Sequence, residues 1–199
     1  MSSTKHLLDP ELRAMADGPF LQNLNDAKVA RVREAMADQV PVLADPQPHG
    51  LYRKEILAPQ DSGPAVRCLL YGPAERENAT STAAYLHVHG GGYLFGSPEG
   101  SDPMNRYIAR ELGITVLSVD YRLAPEHPIP APLDDCYAAL SWLHENATDL
   151  GVDPQRIGIG GESAGGGLAA ALAIKARDAG EYPICWQALT YPMLANIQH

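Results

Sequence analysis

Cysteine is scarce in this sequence. Cys68, Cys136 and Cys185 are the only three in 199 residues, and they stand far apart. An odd number at that spacing fits neither a disulfide framework nor a Cys-x-x-Cys metal site, so reduced thiols are expected. Basic charge is also in deficit: 15 Lys+Arg against 24 Asp+Glu leaves a net charge of −9. That sign disfavours nonspecific attraction to nucleic acid or an anionic membrane, and neither is an expected partner. No apolar run approaches the roughly 20 residues that a membrane-spanning helix needs. The stretch 1–10 lacks the apolar core of a secretion signal, which makes a cytoplasmic location the expectation. The triplets Asn78-Ala79-Thr80 and Asn146-Ala147-Thr148 are then chance matches to a glycosylation acceptor.

What is present is the balance of a globular protein, with 45% hydrophobic and 20% charged residues and no internal repeat. The first 45 or so residues read as helical. Asn25-Asp26 can cap a helix with Val29, Val32, Met36 and Val40 along one stripe, and an earlier segment over 9–17 has Leu8, Leu12 and Met15 at helical spacing. Pro41, Pro46, Pro48 and Gly50 then break the pattern and mark a linker. Beyond it, short β-like runs alternate with helical stretches, the signature of βαβ units and a mainly parallel sheet with flanking helices. Strands are expected over 52–57, 66–71, 84–89, 115–120, 156–160 and 186–191, and helices over 103–112, 134–146 and 163–178. Asp134 and Asp135 are cap candidates, and Gly113, Gly151 and Gly180 stand where helix ends favour a left-handed residue.

The strongest chemical signal is Gly161-Glu162-Ser163-Ala164-Gly165, a Gly-x-Ser-x-Gly between an expected strand and helix. A serine on such a turn is exposed and strained, and the flanking glycines let neighbouring chain pass without collision. Chance alone supplies roughly 0.07 such matches in a chain of this composition. The second signal is His89-Gly90-Gly91-Gly92-Tyr93 at the end of another apolar strand. Consecutive glycines leave backbone N–H groups unscreened, which an acyl-transfer site needs about 3 Å from a developing oxyanion. Gly91, Gly92 and Ala164 are the natural donors.

Competing readings are weaker. His87 and His89 form a His-x-His, but no third or fourth ligand stands at metal spacing, so no metal is expected; a core-facing His87 and a loop-shaping His89 are the simpler reading. Gly158-Ile159-Gly160-Gly161-Glu162-Ser163 has serine where a dinucleotide fingerprint needs its third glycine, and no Gly-Lys pair exists for a phosphate loop.

With Asp120-Tyr121-Arg122-Leu123-Ala124-Pro125-Glu126 between them, these two motifs resemble the hormone-sensitive-lipase-like carboxylesterase branch of the α/β-hydrolases, over about residues 50–194. The resemblance implies an α/β-hydrolase fold, a helical cap over 1–45, a core over 46–199, hydrolysis of short or medium acyl esters, and no cofactor. It makes Ser163 the nucleophile, Gly91, Gly92 and Ala164 the oxyanion hole, and His89, Gly90, Gly161, Glu162 and Gly165 the supporting motif residues. Glu162 departs mildly from the family's frequent Asp. Arg122 and Glu126 are expected to brace the fold as an ion-pair network.

The remaining triad members have no good candidates. After Ser163 the acids are Asp178 and Glu181, and the only histidine is His199. Asp178 falls near the far end of the helix that begins at Ser163, roughly 22 Å away. The expectation is therefore a core ending at about the sixth strand with neither acid nor base, impaired in turnover and prone to self-association through an exposed sheet edge. Two alternatives stay open: a non-catalytic small-molecule-binding relative, and a fragment completed by a partner chain.

Overall fold

A computed structural model describes residues 9–10, 25–37, 50–74 and 81–194. The helix expected over 9–17, apart from its first two residues, lies outside the described residues, as does Val40. Helix α1 spans Asp26–Ala37. Asn25 caps it as the sequence implies, its side-chain oxygen accepting from the Lys28 amide at 3.0 Å. The expected stripe is only partly used: Val29 is buried, Val32 half-buried and Met36 exposed.

Six strands then alternate with three further α-helices: β1 Leu51–Ala58, β2 Val66–Pro73, β3 Thr82–Val88, α2 Asp102–Leu112, β4 Thr115–Val119, α3 Ala131–Glu145, β5 Val152–Glu162, α4 Ala164–Ala179 and β6 Trp186–Thr190. A short 3₁₀ turn, Pro98–Ser101, precedes α2. The sheet order is β1-β2-β4-β3-β5-β6. β4, β3, β5 and β6 run parallel, whereas β1–β2 and β2–β4 are antiparallel.

Alternation along the strands supplies two cores. Leu69, Tyr71, Tyr85 and Val116 pack with Ala109 of α2 on one face. Their sequence neighbours Leu70, Leu86 and Leu117 pack, together with Ile159 of β5, against Leu140, Leu143, Leu168 and Leu172 of α3 and α4 on the other. Every residue of β4 is buried, as expected of an interior strand covered on both sides. Cys68 and Cys136 are buried and Cys185 is exposed, all three free.

Chain direction across the sheet reverses at β3. The path β3–α2–β4 moves one way, and β4–α3–β5 returns over β3 to its other side. Open α/β sheets place their sites at such a switch, beyond the carboxyl ends of the strands. Both glycine motifs emerge there, one from β3 and one from β5.

Three local expectations need correction. β5 begins at Val152, not at 156, because a register shift against β3 between Thr82 and Ala84 absorbs Pro154 in an irregular stretch. α3 starts at Ala131, so Asp134 lies in its first turn and Asp135 just beyond it, and neither caps the helix. Gly113 (φ 62°) and Gly180 (φ 71°) do end their helices left-handed, but α3 ends at Glu145 with Asn146 (φ −98°) as its cap, and Gly151 serves the turn into β5.

Candidate active site

Ser163 occupies the one-residue turn between β5 and α4 with φ 54° and ψ −116°. A side-chain-bearing residue adopts that backbone only when its surroundings impose it. Here the Ser163 N–H donates to the Thr190 carbonyl at 3.0 Å, while its own carbonyl accepts from Gly167 (3.0 Å) and Met193 (2.9 Å). Its hydroxyl makes no capping bond to α4.

The flanking glycines are required by close approach. A β-carbon at Gly161 would stand 2.1 Å from the Val88 carbonyl oxygen, and one at Gly165 would meet that same oxygen at 2.1 Å and the His89 carbonyl at 2.4 Å. Thus β3, the elbow and the start of α4 share backbone-to-backbone packing that no side chain can enter.

The second motif closes over the first. A β-carbon on Gly90 would lie 2.9 Å from the Glu162 carbonyl oxygen and 3.7 Å from the Ser163 β-carbon, which sets the glycine loop directly beside the serine. Gly91 (φ 130°), Gly92 (φ 63°) and Tyr93 (φ 63°) all have positive φ. The Gly91 carbonyl accepts from Leu94 (3.1 Å) and Phe95 (2.9 Å), folding the loop back on itself. Outside the regular elements, no backbone carbonyl among the described residues accepts from Gly91, Gly92 or Ala164. Ala164 opens α4, so its N–H is one of the free donors at a helix start, where the dipole favours negative charge.

Both histidines of the His-x-His are committed elsewhere. His89 is buried, its Nδ1–H donating to the Gly90 carbonyl at 2.8 Å. Its ring stacks on Tyr121 at 4.2 Å, and the Tyr121 hydroxyl donates to the His89 carbonyl at 2.8 Å. Burial pushes the imidazole down to about 4, which keeps it neutral at ordinary pH. His87 lies deeper, with Nε2 3.2 Å from the Glu162 carboxylate. That contact, working against partial burial, holds the Glu162 carboxyl below its usual range.

The motif at 120–126 braces this assembly by other partners than expected. Arg122 pairs with Asp135, not Glu126: its Nη2 and Nε donate to the buried carboxylate at 2.7 and 2.9 Å, and its backbone N–H donates at 2.8 Å. Glu126 instead receives Arg33 of α1 at 2.9 Å. The same guanidinium donates to the carbonyls of Leu94 (2.8 Å) and Ala124 (2.6 Å), tying α1 to both loops at once. Arg33 carried no sequence signal, since its partners are 61 to 93 residues away.

Residues 85–199 match the family described as alpha/beta hydrolase fold. The chain is 48% identical over 120 residues to Carboxylesterase NlhH of Mycobacterium tuberculosis, covering 60% of this chain and 37% of that protein. It is 36% identical over 189 residues to Esterase LipI of Mycobacterium tuberculosis, covering 94% of this chain and 58% of that one. Among solved structures, a bacterial heroin esterase superposes with a TM-score of 0.77 at 40% identity, over 96% of this chain and 59% of its own. The chain therefore spans less than two thirds of the length of these relatives.

Proposed function

Because this chain belongs to the α/β-hydrolase fold family, in the branch of the hormone-sensitive-lipase-like carboxylesterases, we propose that it acts on carboxylic esters through Ser163. The observation that carries the reading is the backbone of Ser163, at φ 54° on the β5–α4 turn with its hydroxyl free of the helix it precedes. Ser163 Oγ attacks the ester carbonyl carbon, and the carbonyl π electrons move to its oxygen. The N–H groups of Gly91, Gly92 and Ala164 receive that oxyanion. Collapse expels the alcohol and leaves an acyl-serine, which water hydrolyses to the acid.

The serine must lose its proton during attack, and a weak hydroxyl nucleophile needs a base to take it. His87 and His89 are bound to Glu162 and Gly90, so neither serves Ser163. We place neither triad acid nor triad base among the described residues. Without that base Ser163 attacks slowly, and turnover by the chain is impaired. Hydrolysis of p-nitrophenyl acetate by the purified chain, beside Ser163→Ala, tests the reading. Slow hydrolysis that the substitution abolishes is expected; equal rates in the two proteins would overturn it. The substrate is a small ester in this reading, and among the described residues no helix is long and apolar enough to cross a membrane.

A further inference from the structure

Gly160 faces His87 across the parallel β3–β5 pair, and Glu162 follows two residues on, on the same face. Glycine at 160 lets this part of β5 lie close against its neighbours. A side chain there would meet the Tyr85 hydroxyl at 2.7 Å and the Ala188 carbonyl at 2.3 Å. His87 is 1% exposed, with Nε2 3.3 and 3.2 Å from the two Glu162 carboxylate oxygens. On its other side Nδ1 lies 3.1 Å from Ser118 Oγ and 3.2 Å from the Asn105 amide nitrogen. An amide nitrogen only donates, so Nδ1 accepts and the ring proton sits on Nε2, aimed at the carboxylate.

Ser118, His87 and Glu162 thus carry the residue types of a hydrolytic triad, but Ser118 and Asn105 are fully buried and no substrate reaches them. The cluster touches the reaction only through the chain: Glu162 is the residue immediately before the strained Ser163. Its carboxylate is held on β3, while on the far side Thr190, Gly167 and Met193 hold the serine backbone.

We propose that His87 is a positioning residue for Ser163, clamping the Glu162 side chain against β3 and so fixing the elbow from its N-terminal side. The inference rests on the reading of Ser163 as nucleophile. Asn105 of α2 and Ser118 of β4 set the ring orientation, so three elements outside the elbow determine where the serine points.

Amide hydrogen exchange, followed by NMR on the full chain, tests this in the parent, His87→Leu and His87→Gln. Leucine keeps bulk and removes the donor; glutamine retains an N–H for the carboxylate. In His87→Leu the amides of Ser163, Gly167 and Met193 are expected to exchange about tenfold faster, with β1–β2 amides such as Ile56 and Leu69 unchanged. His87→Gln restores most of the protection. Unaltered exchange at the elbow, or uniform acceleration through the sheet, overturns the proposal. Ester hydrolysis on the same samples reads the chemistry: kcat falls in His87→Leu and recovers in His87→Gln, with KM unchanged. If parent and Ser163→Ala hydrolyse ester equally, the esterase reading fails, and the exchange pattern alone still decides whether His87 positions the elbow.

Discussion

Replacing Gly165 by alanine sets two effects of known sign against each other. Gly165 lies in the first turn of α4, and alanine is worth up to about 1 kcal/mol more than glycine in a helix. By propensity alone the substitution stabilises. The added β-carbon, however, would stand 2.1 Å from the Val88 oxygen, 2.4 Å from the His89 oxygen and 2.7 Å from the His89 carbonyl carbon. Even a close carbon–oxygen contact is about 3.3 Å, so the end of β3 must retreat by roughly 1 Å. All three obstructing atoms are backbone and cannot rotate away. Overpacking of this kind costs about 1–3 kcal/mol, and rigid obstacles set the upper end. A net loss of about 2 kcal/mol follows, or a fall in Tm of about 4–8 °C at this chain length. Retreat of β3 also carries Gly90 away from Ser163, and a misplacement near 1 Å at a reacting centre costs about 10²-fold. Near-UV circular dichroism on heating, with p-nitrophenyl acetate hydrolysis alongside, measures both. Gly100→Ala is the control, since a β-carbon there meets nothing within 4 Å, and it should stay within about 0.5 kcal/mol of the parent. A Gly165→Ala protein that melts at or above the parent would refute the packing account.

Three further outcomes are expected. Asp135→Ala strips the partner from Arg122, which then keeps some contact with water, and should cost about 2–3 kcal/mol by urea unfolding; a larger loss than that of Arg122→Ala, which strands the buried Asp135 carboxylate, would contradict the assigned geometry. His89 titrates near 4 when folded against an ordinary 6.5, so the unfolded chain takes the proton first as pH falls. Stability full above 6.5 should decline by about 3 kcal/mol between there and 4, and His89→Phe should flatten that slope. The outer edge of β6 pairs with nothing among the described residues, and Trp186 and Leu194 are exposed beside it; sedimentation should show mass rising with concentration, and a monomer throughout would sink the expectation.

The elbow and the glycine loop were legible in the sequence because their requirements are local. Gly161 and Gly165 flank Ser163, and Gly90 to Gly92 follow one apolar strand, so spacing alone carries the information. Strands 66–71 and 115–120 were equally plain from continuous apolar runs. Partner choice was not legible. Asp135 reads as a helix cap from its neighbours, yet it faces Arg122 once α3 begins at Ala131, one turn earlier than the prolines imply. Glu162 and His87 are 75 residues apart and meet only because β3 and β5 pair in parallel with His87 opposite Gly160. Local propensity also argued against Pro154 in a strand, and only the register shift beside β3 admits it.

The three bonds of Arg33 give the N-terminal helix a hold on loops that its own packing barely touches. One guanidinium spans the Leu94 carbonyl, the Ala124 carbonyl and Glu126, and Ala124 in turn donates to Tyr93 at 2.9 Å. Lifting α1 would therefore release three acceptors together, the nearest of them three residues from Gly91.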